Sequence, residues 1–129
     1  MTGVQTCALP ISLGISSEVR LFTDDTVLFR PIQSPDDHRV LQQDLHRLEQ
    51  WAALWQMSFS PTKCHTLFIT LKLNPSQFAY HLCDTHLEGV KFYKYLGVFI
   101  TTSLNWSMQC EEVKKKANRI LCVLQRNLL

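Results

Sequence analysis

The chain has 129 residues, of which 46% are hydrophobic and 19% charged, which fits one small domain and argues against wholesale disorder. No apolar run reaches the ~20 residues of a membrane-spanning helix, and the first residues lack the basic and apolar segments of a secretory signal. The net charge of +2 is uneven: residues 1–90 carry six Lys and Arg against nine Asp and Glu, whereas residues 91–129 carry seven against two. This basic end predicts either a polyanionic partner or a solvated helix face.

Residues Met1 to Ile11 differ from the rest of the chain. They carry no charge, follow neither the helical nor the strand period, and contain Pro10. The segment resembles the translation of a sequencing-library adapter. We therefore expect residues 1–12 to be a non-native leader, and the remaining polypeptide to begin in the middle of a domain.

Two short apolar segments within residues 19–30 flank Asp24 and Asp25, which predicts a β-hairpin with these two residues at its apex. An Asp-Asp pair has no glycine for a positive φ angle, so turn propensity does not explain it. Adjacent carboxylates repel each other, and a divalent cation such as Mg²⁺ would stabilise them. A solvated acidic turn is the alternative, and the commoner one for an isolated pair.

A helix is predicted from Pro35, with Ser34 as N-cap and two acidic residues in its first turn, to about Gln56. Its apolar stripe is Leu41, Leu45, Leu48, Ala52 and Trp55. The residues expected on its wet face are Gln42, Gln43, His46, Arg47, Glu49 and Gln50. Trp51 and Trp55 are predicted to anchor the core.

Strands are predicted over residues 63–71, 78–83, 87–90 and 92–100, with a turn at 74–76, and the last two strands are expected to pair near Gly89. A final helix is predicted with Ser107 as N-cap. Its apolar stripe is Val113, Ala117, Ile120 and Leu124. The order ββ-α-ββββ-α predicts an α+β fold.

Three motifs follow one another along this pattern: Phe22-Thr23-Asp24-Asp25, then Ser60-Pro61-Thr62-Lys63, then Tyr93-Lys94-Tyr95-Leu96-Gly97-Val98. They resemble the (Y/F)-x-D-D motif, the next palm motif with its lysine, and the YLGV primer-grip segment of non-LTR retrotransposon reverse transcriptases, in particular the jockey-like group. The resemblance covers about Glu18 to Leu129. It implies a partial palm subdomain over residues 13–90, and the primer grip with the start of the thumb over 91–129.

The resemblance implies an RNA-directed DNA polymerase, a nucleotidyltransferase that uses two Mg²⁺ ions, deoxynucleotide triphosphates, an RNA template and a DNA primer. Asp24 and Asp25 would be the catalytic carboxylates: Asp24 would bind the metal, and Asp25 would be the more structural or second-metal acid. Lys63 would approach the leaving phosphate. The implied location is intracellular, in cytoplasm and nucleus. No membrane is implied, and no obligate protein partner can be inferred. A strand-edge lysine is the alternative for Lys63.

The same resemblance assigns nucleic-acid contacts to the C-terminal third. Residues expected to position the primer are Tyr93, Tyr95, Leu96 and Gly97, and those expected near phosphates are Lys114, Lys115, Lys116 and Arg119. Gly97 is expected to permit close backbone approach to the primer. Alternatively, Tyr95 and Leu96 are ordinary strand and core residues.

The chain departs from the family pattern in two ways. Thr23 stands where close relatives usually have alanine. The family site also needs an aspartate from an earlier palm strand, and Glu18 is the only acidic residue before the hairpin. The fingers and that strand are absent from the sequence, so we expect no activity from this chain alone. The alternatives are an inactive remnant that at most binds nucleic acid through its basic helix, and a translated relic without function.

Cysteine and histidine residues also offer candidate zinc ligands. Cys64-His65 and His81-x-Cys83-x-x-His86 supply five potential ligands, but their spacing is irregular and lies within apolar strands. No zinc is therefore expected, and buried free thiols with surface histidines are predicted instead. The five cysteines, odd in number and widely spaced, indicate reduced thiols in an intracellular compartment.

Overall fold

The computed structural model describes residues 14–73, 75 and 78–128. Its strands are β1 Glu18–Phe22, β2 Asp25–Phe29, β3 His65–Leu67, β4 His81–Leu82, β5 Thr85–His86, β6 Glu88–Val90, β7 Phe92–Tyr95 and β8 Val98–Thr101. Its helices are α1 Pro35–Leu54 and α2 Ser107–Leu128, with a 3₁₀ turn at Pro61–Lys63. These elements confirm the α+β class. The predicted leader lies outside the described residues, as do Asn74 and Ser76 of the predicted turn.

The chain divides into two compact units. The described part of the first unit comprises residues 14–65 and 78–88, and that of the second comprises residues 66–73, 75 and 89–128. Four two-stranded sheets have the pairings β1–β2, β3–β6, β4–β5 and β7–β8. Three of these are hairpins between consecutive strands, as expected where a two-residue turn joins two short strands.

The start of α1 is fixed by the carboxylate of Asp37. It accepts hydrogen bonds from the backbone N–H groups of Ser34 at 2.9 Å and Gln33 at 3.0 Å, and from Arg30 Nε at 3.0 Å. These donors, the Ser34 N–H foremost, hold the pKa of Asp37 well below its usual range. The predicted start of the helix at Pro35 is confirmed, because this capping arrangement is encoded locally.

The core of the first unit lies between α1 and β4. Its buried apolar residues are Leu48, Ala52, Tyr80, Leu82 and Leu87. The prediction that Trp55 anchors the core is wrong: α1 ends at Leu54, and Trp55 is 46% exposed just beyond it. Trp51 is half-buried, and its indole Nε1 has no hydrogen-bond partner within the described residues.

A buried histidine extends this core toward the start of α1. The ring of His38 stacks on Phe78 with centroids 5.1 Å apart, and its Nδ1 lies 2.6 Å from the Tyr80 hydroxyl. Burial raises the pKa of Tyr80 to about 12, so the phenol remains protonated. His38 is therefore a core residue that the sequence did not single out.

Asp44 is the most deeply buried side chain described, with no exposed area. Its carboxylate accepts hydrogen bonds from Ser17 Oγ at 2.7 Å and from the backbone N–H groups of Ser17 at 2.8 Å and Ser16 at 3.1 Å. Arg47 Nη1 donates to it at 3.0 Å and also donates to the Gly14 carbonyl. This Asp44 clamp ties residues 14–17, which lead into β1, to the middle of α1.

Burial by itself would raise the pKa of Asp44. The hydrogen bonds from Ser17, Ser16 and Arg47 outweigh that effect and lower the pKa below its ordinary value. The carboxylate is therefore ionised in the folded state at neutral pH. Its charge contributes stability above about pH 4, and that contribution is lost as the pH falls through the lowered pKa.

The predicted strands of the middle segment are too long. The 3₁₀ turn at Pro61–Lys63 occupies the predicted start of the 63–71 strand, which shortens to β3. The 78–83 strand shortens to β4 because Cys83 and Asp84 form a turn with φ angles of 49° and 57°. Positive φ at both turn residues is the signature of a tight hairpin, and β5 follows at once.

The predicted pairing of residues 87–90 with 92–100 is wrong. β6 pairs with β3, while residues 92–101 form a hairpin of their own, in which Tyr95 faces Val98 and Phe92 faces Thr101. Its turn is Leu96-Gly97, with φ angles of 49° and 84°. This pair of positive angles is what a type I′ turn demands.

Helix α2 begins at Ser107, one residue earlier than an N-cap at Ser107 predicts. The Trp106 carbonyl accepts from the Cys110 N–H at 2.9 Å, and Asn105 Oδ1 accepts from the Ser107 N–H at 2.8 Å. Ser107 is therefore the first helical residue rather than the N-cap, because the Asn105 side chain satisfies its N–H. No residue of α2 is buried in the described structure.

We predict that Asp44→Ala lowers the free energy of unfolding by about 3 kcal/mol, because it leaves buried donors of Ser16, Ser17 and Arg47 without an acceptor. Urea unfolding followed by tryptophan fluorescence measures the change. Asp36→Ala is the matched control: Asp36 lies on the same helix but its pairing with Arg39 at 3.5 Å is solvent-exposed, so the loss should stay within about 0.5 kcal/mol. Equal losses of unfolding free energy in the two variants would contradict the stabilising role of the Asp44 clamp.

Candidate functional site

The acidic hairpin tip is shifted by one residue from its predicted apex. Phe22 pairs with Asp25, so the two-residue turn is Thr23-Asp24 rather than Asp24-Asp25. Asp24 lies in the turn and Asp25 is the first residue of β2, and both are exposed. The reason is the register of β1 on β2, which sequence composition does not fix.

Thr23 adopts a strained backbone conformation. Its φ angle is 51°, in the left-handed region that β-branched residues disfavour, whereas Asp24 has no positive φ. A hairpin turn with positive φ at its first residue alone favours glycine there. Strain of this kind is retained where surrounding structure holds it, and it is enriched at functional sites.

The functional groups at the hairpin tip are the carboxylates of Asp24 and Asp25. Within the described part of the chain, neither Asp24 nor Asp25 forms a side-chain hydrogen bond or an ion pair, and no three His, Cys, Asp or Glu residues lie close enough to hold a metal ion. Carboxylate oxygens are the ligands that Mg²⁺ prefers, commonly one or two of them together with water and phosphate oxygens. The donor set therefore fits Mg²⁺ bound jointly with a phosphate substrate.

Lys63 lies in the same unit as the hairpin but is not joined to it. It ends the 3₁₀ turn, where its N–H donates to the Ser60 carbonyl at 3.0 Å, and its side chain is exposed. Among the described residues, no hydrogen bond or ion pair connects Lys63 with Asp24 or Asp25. The alternative of a strand-edge lysine is wrong, because Lys63 ends the 3₁₀ turn and β3 begins only at His65.

Residues 93–98, for which the resemblance implies a primer grip, lie in the β7–β8 hairpin. Tyr93 and Leu96 are 41% and 48% exposed, whereas Tyr95 is half-buried, so the alternative of a core residue is wrong for Leu96. A Cβ atom at Gly97 would meet nothing within 4 Å. The positive φ of the turn therefore explains this glycine, and a close approach within the chain does not.

Three of the five basic residues of helix α2 lie on one face of the helix. At ~100° per residue, Lys115, Arg119 and Arg126 share one side of the helix, opposite the stripe that contains Val113 and Ile120. Lys114 and Lys116 point ~100° to either side of Lys115. In the part of the chain that the structure describes, Lys115 Nζ lies 3.9 Å from Glu112 Oε1, and the other Lys and Arg residues of α2 form no ion pair. The 4- and 7-residue spacing could have revealed this face.

The cysteines and the remaining histidines are mostly at the surface. Cys83, Cys110 and Cys122 are exposed and Cys64 is half-buried. The prediction of buried thiols, made for Cys64 and Cys83, is therefore wrong for Cys83. Burial raises the pKa of Cys64, and the nearby Cys83 raises it further. The histidines at 65, 81 and 86 are exposed, as predicted.

Comparison with known protein families, with curated proteins and with solved structures finds no match for this chain. Neither helix of the described residues has the length and apolar character needed to cross a membrane.

We predict that Thr23→Gly raises the free energy of unfolding by about 1 kcal/mol, because glycine adopts the left-handed conformation without strain. Urea unfolding measures the gain. Thr26→Gly on β2, opposite Leu21, is the matched control and should lower stability by a similar amount, since it only weakens a strand. A loss of stability in Thr23→Gly would show that the turn carries no strain.

Proposed function

We propose that the chain is part of an RNA-directed DNA polymerase of a non-LTR retrotransposon, comprising the C-terminal part of the palm and the start of the thumb. The parent enzyme extends a DNA primer on an RNA template, with deoxynucleotide triphosphates as substrates. The observation that carries the proposal is the acidic hairpin tip: two adjacent exposed carboxylates, without side-chain partners among the described residues, beside a strained turn residue.

Each carboxylate has a role in this proposal. Asp24 in the turn and Asp25 at the start of β2 hold Mg²⁺, which when bound supplies charge stabilisation for the attacking hydroxyl and the leaving pyrophosphate. Lys63, placed at the end of its turn rather than in a strand, acts on the leaving phosphate electrostatically. The exposed ring of Tyr93 supports the primer.

The chain by itself is incomplete for this reaction. Glu18, the first residue of β1, lies at the opposite end of the strand from the tip, where it is in register with Phe29 and forms an ion pair with Arg20 at 2.9 Å. Three residues lie between Glu18 and Phe22, which puts the two Cα atoms about 13 Å apart. Glu18 therefore cannot replace the aspartate that the family supplies from an earlier strand.

We predict that Asp24→Asn abolishes primer extension in an enzyme completed with fingers and the earlier aspartate, since the amide keeps the shape of the side chain but binds Mg²⁺ poorly. In the 129-residue chain the same change should leave the melting temperature unchanged or slightly raised, because it relieves repulsion between exposed charges. Primer extension on an RNA template and thermal melting measure the two effects.

Asp36→Asn is the control for the polymerase assay, because Asp36 is an exposed carboxylate on α1 and full activity is expected. The 129-residue chain alone should show no template-dependent extension above a mock preparation. Retained activity of Asp24→Asn in the completed enzyme would contradict the proposal. A clear fall in the melting temperature of the 129-residue variant would mean that Asp24 is structural.

A second candidate is a remnant that binds nucleic acid without catalysis. The basic face of α2, formed by Lys115, Arg119 and Arg126, favours it because these cations are exposed and the helix buries none of its residues in the described structure. Phosphate contacts of this kind fix position on nucleic acid without reading its sequence.

We predict that affinity for a primer–template duplex falls by ~0.9 log units per log unit of salt for each phosphate neutralised. Replacing Lys115, Arg119 and Arg126 by glutamate should flatten this slope. Reversal of Arg20, Arg39 and Lys72, which are exposed outside α2, changes the net charge equally and should flatten it less. Fluorescence anisotropy at several salt concentrations measures the slopes. Equal slopes for the two triple variants would identify a solvated helix face.

A further inference from the structure

The β4–β5 hairpin places two exposed histidines side by side. His81 and His86 are directly opposite in the register of the two strands. Their ring centroids lie 5.5 Å apart, with the planes at 75°. Only two turn residues, Cys83 and Asp84, and one strand pair separate them along the chain, so the backbone fixes their spacing.

His81 and His86 form a non-hydrogen-bonded pair of the antiparallel ladder. Gln42 Nε2 donates to the His81 carbonyl at 2.9 Å, and the His81 N–H donates to Gln42 Oε1 at 2.9 Å. Both main-chain groups of His81 therefore point toward α1 and away from β5. Such a non-hydrogen-bonded position brings opposite Cα atoms to about 4.5 Å, where side chains approach most closely.

The neighbouring pair, Tyr80 and Leu87, is hydrogen-bonded, which supports this assignment of the His81–His86 pair. The Leu87 N–H donates to the Tyr80 carbonyl at 2.8 Å, as expected one residue beyond a non-hydrogen-bonded pair. Gln42 also anchors β4 to the most regular helix of the unit. The two imidazoles thus stand on a hairpin whose position is set before any ligand binds.

Two neighbouring imidazoles suit a divalent transition metal. Imidazole nitrogen binds Zn²⁺, Cu²⁺ and Ni²⁺, with Zn–N distances of about 2.0–2.1 Å. No group of three or more potential ligands occurs among the described residues, so a closed structural zinc site is not formed there. We propose that His81 and His86 form an open two-histidine chelate for a divalent transition-metal ion, with the remaining positions taken by water or an exogenous ligand. The proposal is independent of the Mg²⁺ site, because Mg²⁺ takes oxygen ligands.

The test is titration of the whole 129-residue chain with Ni²⁺ at about pH 7.5, where imidazoles bind in their neutral form. Ni²⁺ is the probe because it does not oxidise the free thiols. Isothermal titration calorimetry should show one saturable site, and His81→Ala or His86→Ala should each weaken it about tenfold or more. Bound Ni²⁺ should also broaden the imidazole proton signals of both histidines in the unmodified chain.

The matched control moves one histidine by a single residue. The double variant Thr85→His with His86→Thr keeps the composition but places the imidazole on the other face of β5, so it should bind like the single alanine variants. Cys83→Ser and His65→Ala should retain the affinity of the unmodified chain. Undiminished binding by the double variant, weakened binding by Cys83→Ser, or the absence of paramagnetic broadening at both histidines would overturn the proposal.

Discussion

The first unit depends on the buried carboxylate of Asp44. A charge without exposed area is costly unless its lone pairs are filled, and here Ser16, Ser17 and Arg47 fill them. The result joins the segment before β1 to the middle of α1, although the two are 27 residues apart in sequence. Polar contacts therefore attach both ends of the β1–β2 hairpin to α1: the Asp44 clamp before β1, and the ion pair of Arg30 with Asp37 after β2.

Local signals explain what could be predicted from the sequence, and non-local pairings explain most of what could not. The start of α1 is encoded within four residues, from Ser34 to Asp37, and it was predicted correctly. The burial of Asp44 was not, because its partners lie far away in sequence and its own position on the helix interrupts the apolar stripe. The hairpin of residues 92–101 was also missed, although Gly97 between two apolar runs is a turn signal.

Tight turns with positive φ shape three hairpins, and they differ in how well their residues suit that conformation. Gly97 adopts it freely, and Asp84 tolerates it better than most residues, whereas Thr23 does not. Among the described residues, Thr23 is the only β-branched residue with a positive φ angle, and it stands directly before Asp24, one of the two proposed metal ligands.

Four aspartates of the first unit form two contrasting pairs. Asp37 and Asp44 each accept several hydrogen bonds, and those donors lower the pKa of both groups. Asp24 and Asp25 accept none through their side chains within the described residues, so neither caps a helix nor braces a turn. Their removal should therefore leave the fold intact, unlike that of Asp44. Asp24 and Asp25 thus lie beside the strained backbone of Thr23 and form no side-chain contact within the described residues. Such an arrangement is expected where the carboxylates bind a ligand such as a metal ion.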